Sequence, residues 1–224
     1  MPAHIAKYEE KSFYTLLIDA IGLAHEAEQH AHERAQRMFA RASILDCALV
    51  IECVANTCTS SRSLSATGTP IEKLTAYGKH AHGKELEPAR PEVLAVEELR
   101  RMRNQYVHVR VREHPVAFPT EDLASWGEVH PEASPVLNLS FMPAMWGPTD
   151  ATKTLGAIER FLRYFLVELL GQSPKQLFEL FATALELTGG GSGYMEDSML
   201  ERAIAVSASE WSIDFSFLGS QSDA

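Results

Sequence analysis

The sequence is short of cysteine, of long apolar runs and of the fingerprints of common enzyme families, and each shortage removes a class of explanation. Its three cysteines, Cys47, Cys53 and Cys58, are odd in number and lie within one expected helix. They show neither CxxC spacing nor a distant partner cluster, so disulfides and structural zinc lack a basis and buried free thiols are expected. The longest apolar candidate, Ile44 to Ala55, is interrupted by Asp46 and Glu52 and falls short of the roughly 20 residues that a spanning helix needs. The opening Met-Pro-Ala-His-Ile-Ala-Lys-Tyr-Glu-Glu lacks the basic start and apolar stretch of a signal peptide. The expectation is a cytoplasmic protein with no membrane association.

No Gly-x-Ser-x-Gly elbow, no dinucleotide fingerprint and no cysteine with an evident histidine partner occurs. The run Gly189-Gly190-Gly191-Ser192-Gly193 is followed by no Lys-Ser or Lys-Thr, so it reads as a linker rather than a phosphate loop. His25-Glu26-Ala27-Glu28-Gln29-His30 resembles a zinc-protease helix only briefly. Its second histidine is at i+5, which turns the two side chains about 140° apart. His30, His32, His80 and His82 sit among polar neighbours and read as solvated surface. No metal and no cofactor is expected.

What is present is an ordinary globular composition, 46% hydrophobic and 22% charged over 224 residues, enough for one sizeable core. The net charge of −10 opposes diffuse binding to a polyanion, so any nucleic-acid contact must be local. One place qualifies, because Arg100, Arg101, Arg103, Arg110 and Arg112 cluster with His108 and His114.

Apolar residues recur at helical spacing in five stretches. Phe13, Leu17, Ala20, Ala24 and Ala27 mark the first helix. A second runs from about His32 to Asn56 and is apolar nearly all round at its centre, which marks a buried helix. A short helix starts at Pro70 and ends at Gly78 or Gly83. Another runs from about Pro91 to Val107. Thr149 or Asp150 can cap the next, whose stripe of Leu155, Ile158, Leu162, Phe165 and Leu169 stops at Gly171. Ser173-Pro174-Lys175-Gln176 is a capping-box start for a helix ending near Gly189, and a last short helix spans about Asp197 to Val206. Alternation in residues 107–112 and 136–141 suggests one antiparallel hairpin. The fold class expected is an all-α helical bundle with at most that hairpin. A domain over residues 1–188, with its core at about 33–171, precedes a linker, short helix and tail over 189–224.

The remaining constellation is Arg103-Asn104-Gln105-Tyr106-Val107-His108 at the end of a helix. It resembles the Arg-x4-6-His signature of the HEPN superfamily, and the buried helix before it, Ala42 to Glu52, is similar to that family as well. The resemblance covers roughly residues 33–171 in helix order. It implies a bundle that often forms a homodimer with the motifs facing one another and, in catalytic members, a metal-independent endoribonuclease. Carried onto this chain, Arg103 would neutralise the scissile phosphate, Asn104 would orient it and His108 would act as general acid or base. Arg100, Arg101, Arg110 and Arg112 would help hold RNA, and a regulatory protein partner could restrain the activity.

A helical wheel at about 100° per residue places Arg103 in the apolar arc of Ala95, Leu99, Met102 and Tyr106, and Asn104 and His108 on the polar face. Two readings therefore stand. One is the ribonuclease. The other is a non-catalytic HEPN-like module that dimerises or binds a nucleotide or protein partner, with Arg103 paired to a carboxylate such as Glu52 or Asp46 and His108 merely ending the helix. A purely structural helical protein, its motif accidental, ranks behind both.

Overall fold

The architecture follows from a computed structural model, which describes residues 5–9, 11–65, 67–108, 116–117, 128–129, 132–187, 192–195 and 198–219. Among these, seven α-helices dominate: α1 (Phe13–Gln29), α2 (Glu33–Ser60), α3 (Pro70–His82), α4 (Pro91–Val107), α5 (Pro148–Leu162), α6 (Pro174–Phe181) and α7 (Ser198–Trp211). No helix among the described residues is long and apolar enough to cross a membrane.

Local chemistry sets the helix starts. Pro70, Pro91, Pro148 and Pro174 each open a helix, where the missing N–H has no intrahelical role and φ is already helical. Thr69 with Glu72, and Ser173 with Gln176, close reciprocal capping boxes, each satisfying two otherwise orphaned N–H groups. At α5 the cap differs from expectation. Gly147 is the N-cap and Asp150 sits in the first turn, its Oδ2 accepting from the Gly147 N–H at 3.0 Å.

The core forms around α2, which packs on α1, α3, α4 and α5, while α4 and α5 also pack on each other. Ile44, Val50, Val54 and Ala55 of α2, with Leu155, Phe161 and Leu162 of α5, are wholly buried. Leu45 and Leu49 are only half-buried, so α2 is less uniformly enclosed than its composition suggests. Cys47 and Cys58 are buried free thiols, and Cys53 is half-buried.

α5 runs directly into a π-helical stretch, Arg163–Leu169, a wide form usually limited to single turns and often found beside functional sites. Two residues past its end Gly171, with φ 71°, reverses the chain with a geometry that glycine adopts without strain.

Two departures concern strands. Residues 136–141 do not form a strand. Glu98 of α4, buried, accepts from the N–H groups of Val136 (3.0 Å) and Leu137 (2.6 Å). Asn138 turns the chain with φ 54°, and a single bridge joins Ala133 to Ser140. Val107 is still helical, and residues 109–112 lie outside the described residues. The small hairpin is instead β2 (Val116–Ala117) with β3 (Glu128–Val129).

A three-stranded antiparallel sheet also joins β1 (Ile5–Glu9), β4 (Thr183–Leu187) and β5 (Ser192–Met195) in the order β1-β4-β5. It ends α6 at Phe181 and not near Gly189, and it takes Ser192 and Gly193 out of the expected linker. The chain beyond it is more than a tail. Leu200, Ile213, Phe215, Phe217 and Leu218 join the common core. Tyr14 Oη donates to the Leu218 carbonyl at 3.2 Å across 204 residues.

Candidate functional site

The motif lies at the C-terminal end of α4. Val93, Val96, Leu99 and Met102 bury one face of that helix, and Tyr106 stacks on Trp146 with ring centroids 6.1 Å apart. Trp146 is itself wholly buried and donates its indole N–H to the Ser140 carbonyl at 2.7 Å. The last turn of α4 is therefore braced against the 3₁₀ turn Pro143–Met145. The helix ends at His108, whose ψ of 83° leaves the helical range while its N–H still reaches the Asn104 carbonyl at 2.9 Å.

Arg103 is half-buried, as its wheel position implies. Its guanidinium divides between two partners. Nη1 donates to Asn104 Oδ1 at 3.0 Å and Nη2 to Glu52 Oε2 of α2 at 3.4 Å. Of the two carboxylates that could have paired with it, Glu52 does. Asp46 lies one to two turns earlier on α2, where burial and Asp19 of α1 push its carboxyl up to about 6. The side chains of the Arg103–Glu52 pair are 25% and 33% exposed, so water screens it and its net contribution to stability is about 0–1 kcal/mol.

The Arg103–Asn104 bond joins the guanidinium to a residue that stands one helical turn before His108. His108 itself is exposed, and its ring makes no hydrogen bond or ion pair with a described residue. Between them Gln105 keeps a buried Oε1 with no hydrogen-bond partner, a feature that its place in the sequence did not signal.

The surrounding arginines are less free than their clustering suggested. Arg100 is bound by Glu97 one turn back, through Nε at 3.2 Å and Nη2 at 3.1 Å. Arg101 is exposed without a described partner. Arg110 and Arg112 lie outside the described residues. Two of the described arginines thus have their charge answered by a carboxylate, which weakens the arginine cluster as a phosphate-attracting surface.

On the other side of Glu52 a groove of about 500 Å³ opens between α1, α2 and α6, lined by Lys11, Ser12, Glu52, Cys53, Asn56 and Ser60 among others. Burial pushes the Cys53 thiol up, so it is a neutral group there and not a thiolate. Glu52 faces both the motif and this groove. Among the described residues no three His, Cys, Asp or Glu side chains gather as a metal site requires.

Two of the four histidines read as solvated surface are half-buried, His30 against Phe39 and His82. His82, the last residue of α3, is half-buried with its Nε2 enclosed and unpartnered. The residues that enclose it come from distant parts of the chain, so no local pattern announces it.

No protein-family model matches the chain, and no match is found among the curated proteins or among the solved structures.

Proposed function

We propose that the end of α4 is a HEPN-type ribonuclease site acting without a metal. Arg103 holds the scissile phosphate, Asn104 positions the guanidinium and the phosphate oxygens, and His108 transfers the proton. The RNA 2′-hydroxyl attacks phosphorus, the 5′-oxygen leaves, and the product carries a 2′,3′-cyclic phosphate. The chemistry requires a proton carrier near neutrality and a fixed cation for the charge that builds on the phosphorane. The observation that supports this reading is the Arg103–Asn104 hydrogen bond, which links a core-edge arginine to a residue one helical turn before His108. The partners that belong to the reading are RNA, a second copy of the chain and a restraining protein.

A second reading has its own observation. The Arg103–Glu52 ion pair satisfies the guanidinium within the fold, as in a non-catalytic HEPN-like module that dimerises or binds a nucleotide or protein through this face. One experiment separates the two. Purified protein is incubated with total RNA in EDTA, beside a His108→Ala variant. Cleavage that persists in EDTA, leaves cyclic-phosphate ends and vanishes in the variant establishes the enzyme. Equal behaviour of the two proteins transfers the site to the binding module.

A further inference from the structure

A second cavity, lined by none of the motif residues, lies where the turn after α2, the end of α3, the end of the π-helical stretch and α6 meet. Its volume is about 440 Å³ and its lining includes Arg62, Tyr77, His82, Leu170, Gln172 and Gln176. Each polar group is aimed there by a definite local device. Gly83 ends α3 in the left-handed conformation, φ 64°, with its N–H on Lys79 and the Lys84 N–H on Gly78. Gly78 permits that closing turn, since a Cβ on it would come within 2.8 Å of the Lys84 carbonyl oxygen. His82 is thereby held edge-on to the Tyr77 ring, 5.6 Å between centroids. The left-handed Gly171 delivers Gln172 from the opposite side, and its Nε2 lies 3.3 Å from Tyr77 Oη.

The hydrogen-bonding account of this cavity does not close. His82 Nε2 and Gln172 Oε1 are both enclosed and without partners, whereas buried polar atoms are nearly always satisfied. Gln172 Nε2 already donates to the Tyr77 hydroxyl, so the orphaned Gln172 Oε1 is an acceptor and the open donor position is His82 Nε2–H. Burial pushes the Tyr77 hydroxyl up against the opposing pull of the Gln172 hydrogen bond and the Arg62 charge, so it keeps its proton. Burial, with Arg62 and Lys84 close by, holds the His82 imidazole below its ordinary range. Arg62 is exposed at the rim and has no carboxylate within ion-pair distance among the described residues. Glu179, the one acidic side chain in the lining, is not joined to it.

We infer that this cavity binds a small organic oxyanion, a phosphate ester or carboxylate, with Arg62 as its countercharge and His82 as a donor. The guanidinium matches two oxygens of such a group in a bidentate fork. His82 Nε2–H completes its coordination, which satisfies that orphaned group. The space exceeds that of a bare phosphate, and Leu170, Leu180 and the Tyr77 ring form an apolar wall for an organic body. The π-helical stretch, which ends one residue before Leu170, is what brings Leu170 and Gln172 into the lining. The inference stands apart from the ribonuclease reading, since no residue of one site serves the other.

The test is an NMR titration of the full chain with phenyl phosphate and benzoate, inorganic phosphate, and neutral benzyl alcohol as a control. Saturable shifts of the His82 ring and Gln172 amide resonances are expected with phenyl phosphate or benzoate, and whichever binds tighter identifies the anion. Inorganic phosphate should bind more weakly and benzyl alcohol weaker still. Arg62→Ala, at an exposed position, should weaken the anion at least about tenfold, the loss typical of one charge-assisted hydrogen bond. Arg62→Lys should restore part of it. The inference is overturned if no anion saturates either resonance at millimolar concentration, if benzyl alcohol binds as well as the anions, or if Arg62→Ala leaves affinity unchanged. A crystal grown with phenyl phosphate that shows only a water on His82 Nε2 would overturn it equally, and none of these results bears on RNA cleavage.

Discussion

At the end of α4 two of the three arginines are matched with carboxylates, Arg100 with Glu97 and Arg103 with Glu52, and Arg101 is not. Beside α3, Arg62 has no such partner among the described residues, and two enclosed polar atoms, His82 Nε2 and Gln172 Oε1, stay unbonded against one, Gln105 Oε1, at the motif. The difference therefore teaches that a recognisable motif and an unfilled site are separate kinds of observation. The first region is conspicuous in sequence and, Arg101 and Gln105 Oε1 aside, self-satisfied in structure. The second is silent in sequence and unsatisfied in structure.

The largest effect expected from breaking this contrast is at His108. If the motif is catalytic, His108→Ala should lower RNA cleavage by about 10²–10⁴-fold, the usual contribution of a proton-transfer group. The exposed position of His108 leaves the melting temperature unchanged, so a gel-based cleavage assay and a thermal melt together isolate the chemical role. Cleavage at the wild-type rate would reduce the motif to a helix end.

Next comes the scaffold that both regions share. Leu162 of α5 is wholly buried, and Leu162→Ala should cost about 2–5 kcal/mol in a urea unfolding series. Leu49→Ala, at a half-buried residue lining the 500 Å³ groove, should cost less than Leu162→Ala. Equal losses would mean that the groove is closed in solution.

A smaller effect concerns Asp46, on the same helix as Glu52. Its folded-state pKa of about 6 lies above the unfolded value of about 4. The folded state therefore holds the extra proton. The stabilisation is fully present below the unfolded value and is lost as the pH rises through about 6. Asp46→Asn should melt higher than wild type at pH 7.5, with the difference shrinking toward pH 4. A difference independent of pH would refute the assignment.

The smallest effect is expected at Glu52. Glu52→Gln frees the Arg103 guanidinium and should change stability by less than about 1 kcal/mol. If RNA binds at the motif, the variant should bind it with a salt dependence steeper by about 0.7 in log–log slope, one more phosphate neutralised on a single strand. An unchanged slope would place RNA elsewhere, or nowhere, on this surface.

Much of this was legible beforehand for identifiable reasons. Prolines and capping boxes act within one turn, so the starts of α3, α4 and α6 could be read directly, and α4 was placed to the residue. Glu52 was one of two carboxylates named for Arg103, because α2 and α4 had to bury their apolar faces together. What failed depended on partners far along the chain. Thr183–Leu187 continues an apolar pattern that suits a helix as well as a strand, and pairing with residues 5–9 decided for the strand. Val136–Phe141 alternates as a strand would, yet a buried carboxylate from α4 took the N–H groups that a strand partner needed.

By itself the sequence determined where helices begin, which faces are apolar, and that Arg103, Asn104 and His108 stand together at a helix end, since each depends on residues within a turn or two. Only the tertiary structure decided that Arg103 reaches both Glu52 and Asn104, that the C-terminal Phe215 and Leu218 complete the core, and that Arg62, Tyr77, His82 and Gln172 surround one cavity. These are outcomes of packing between segments up to about two hundred residues apart, where burial and the pairing of polar groups are settled by neighbours that no local pattern specifies.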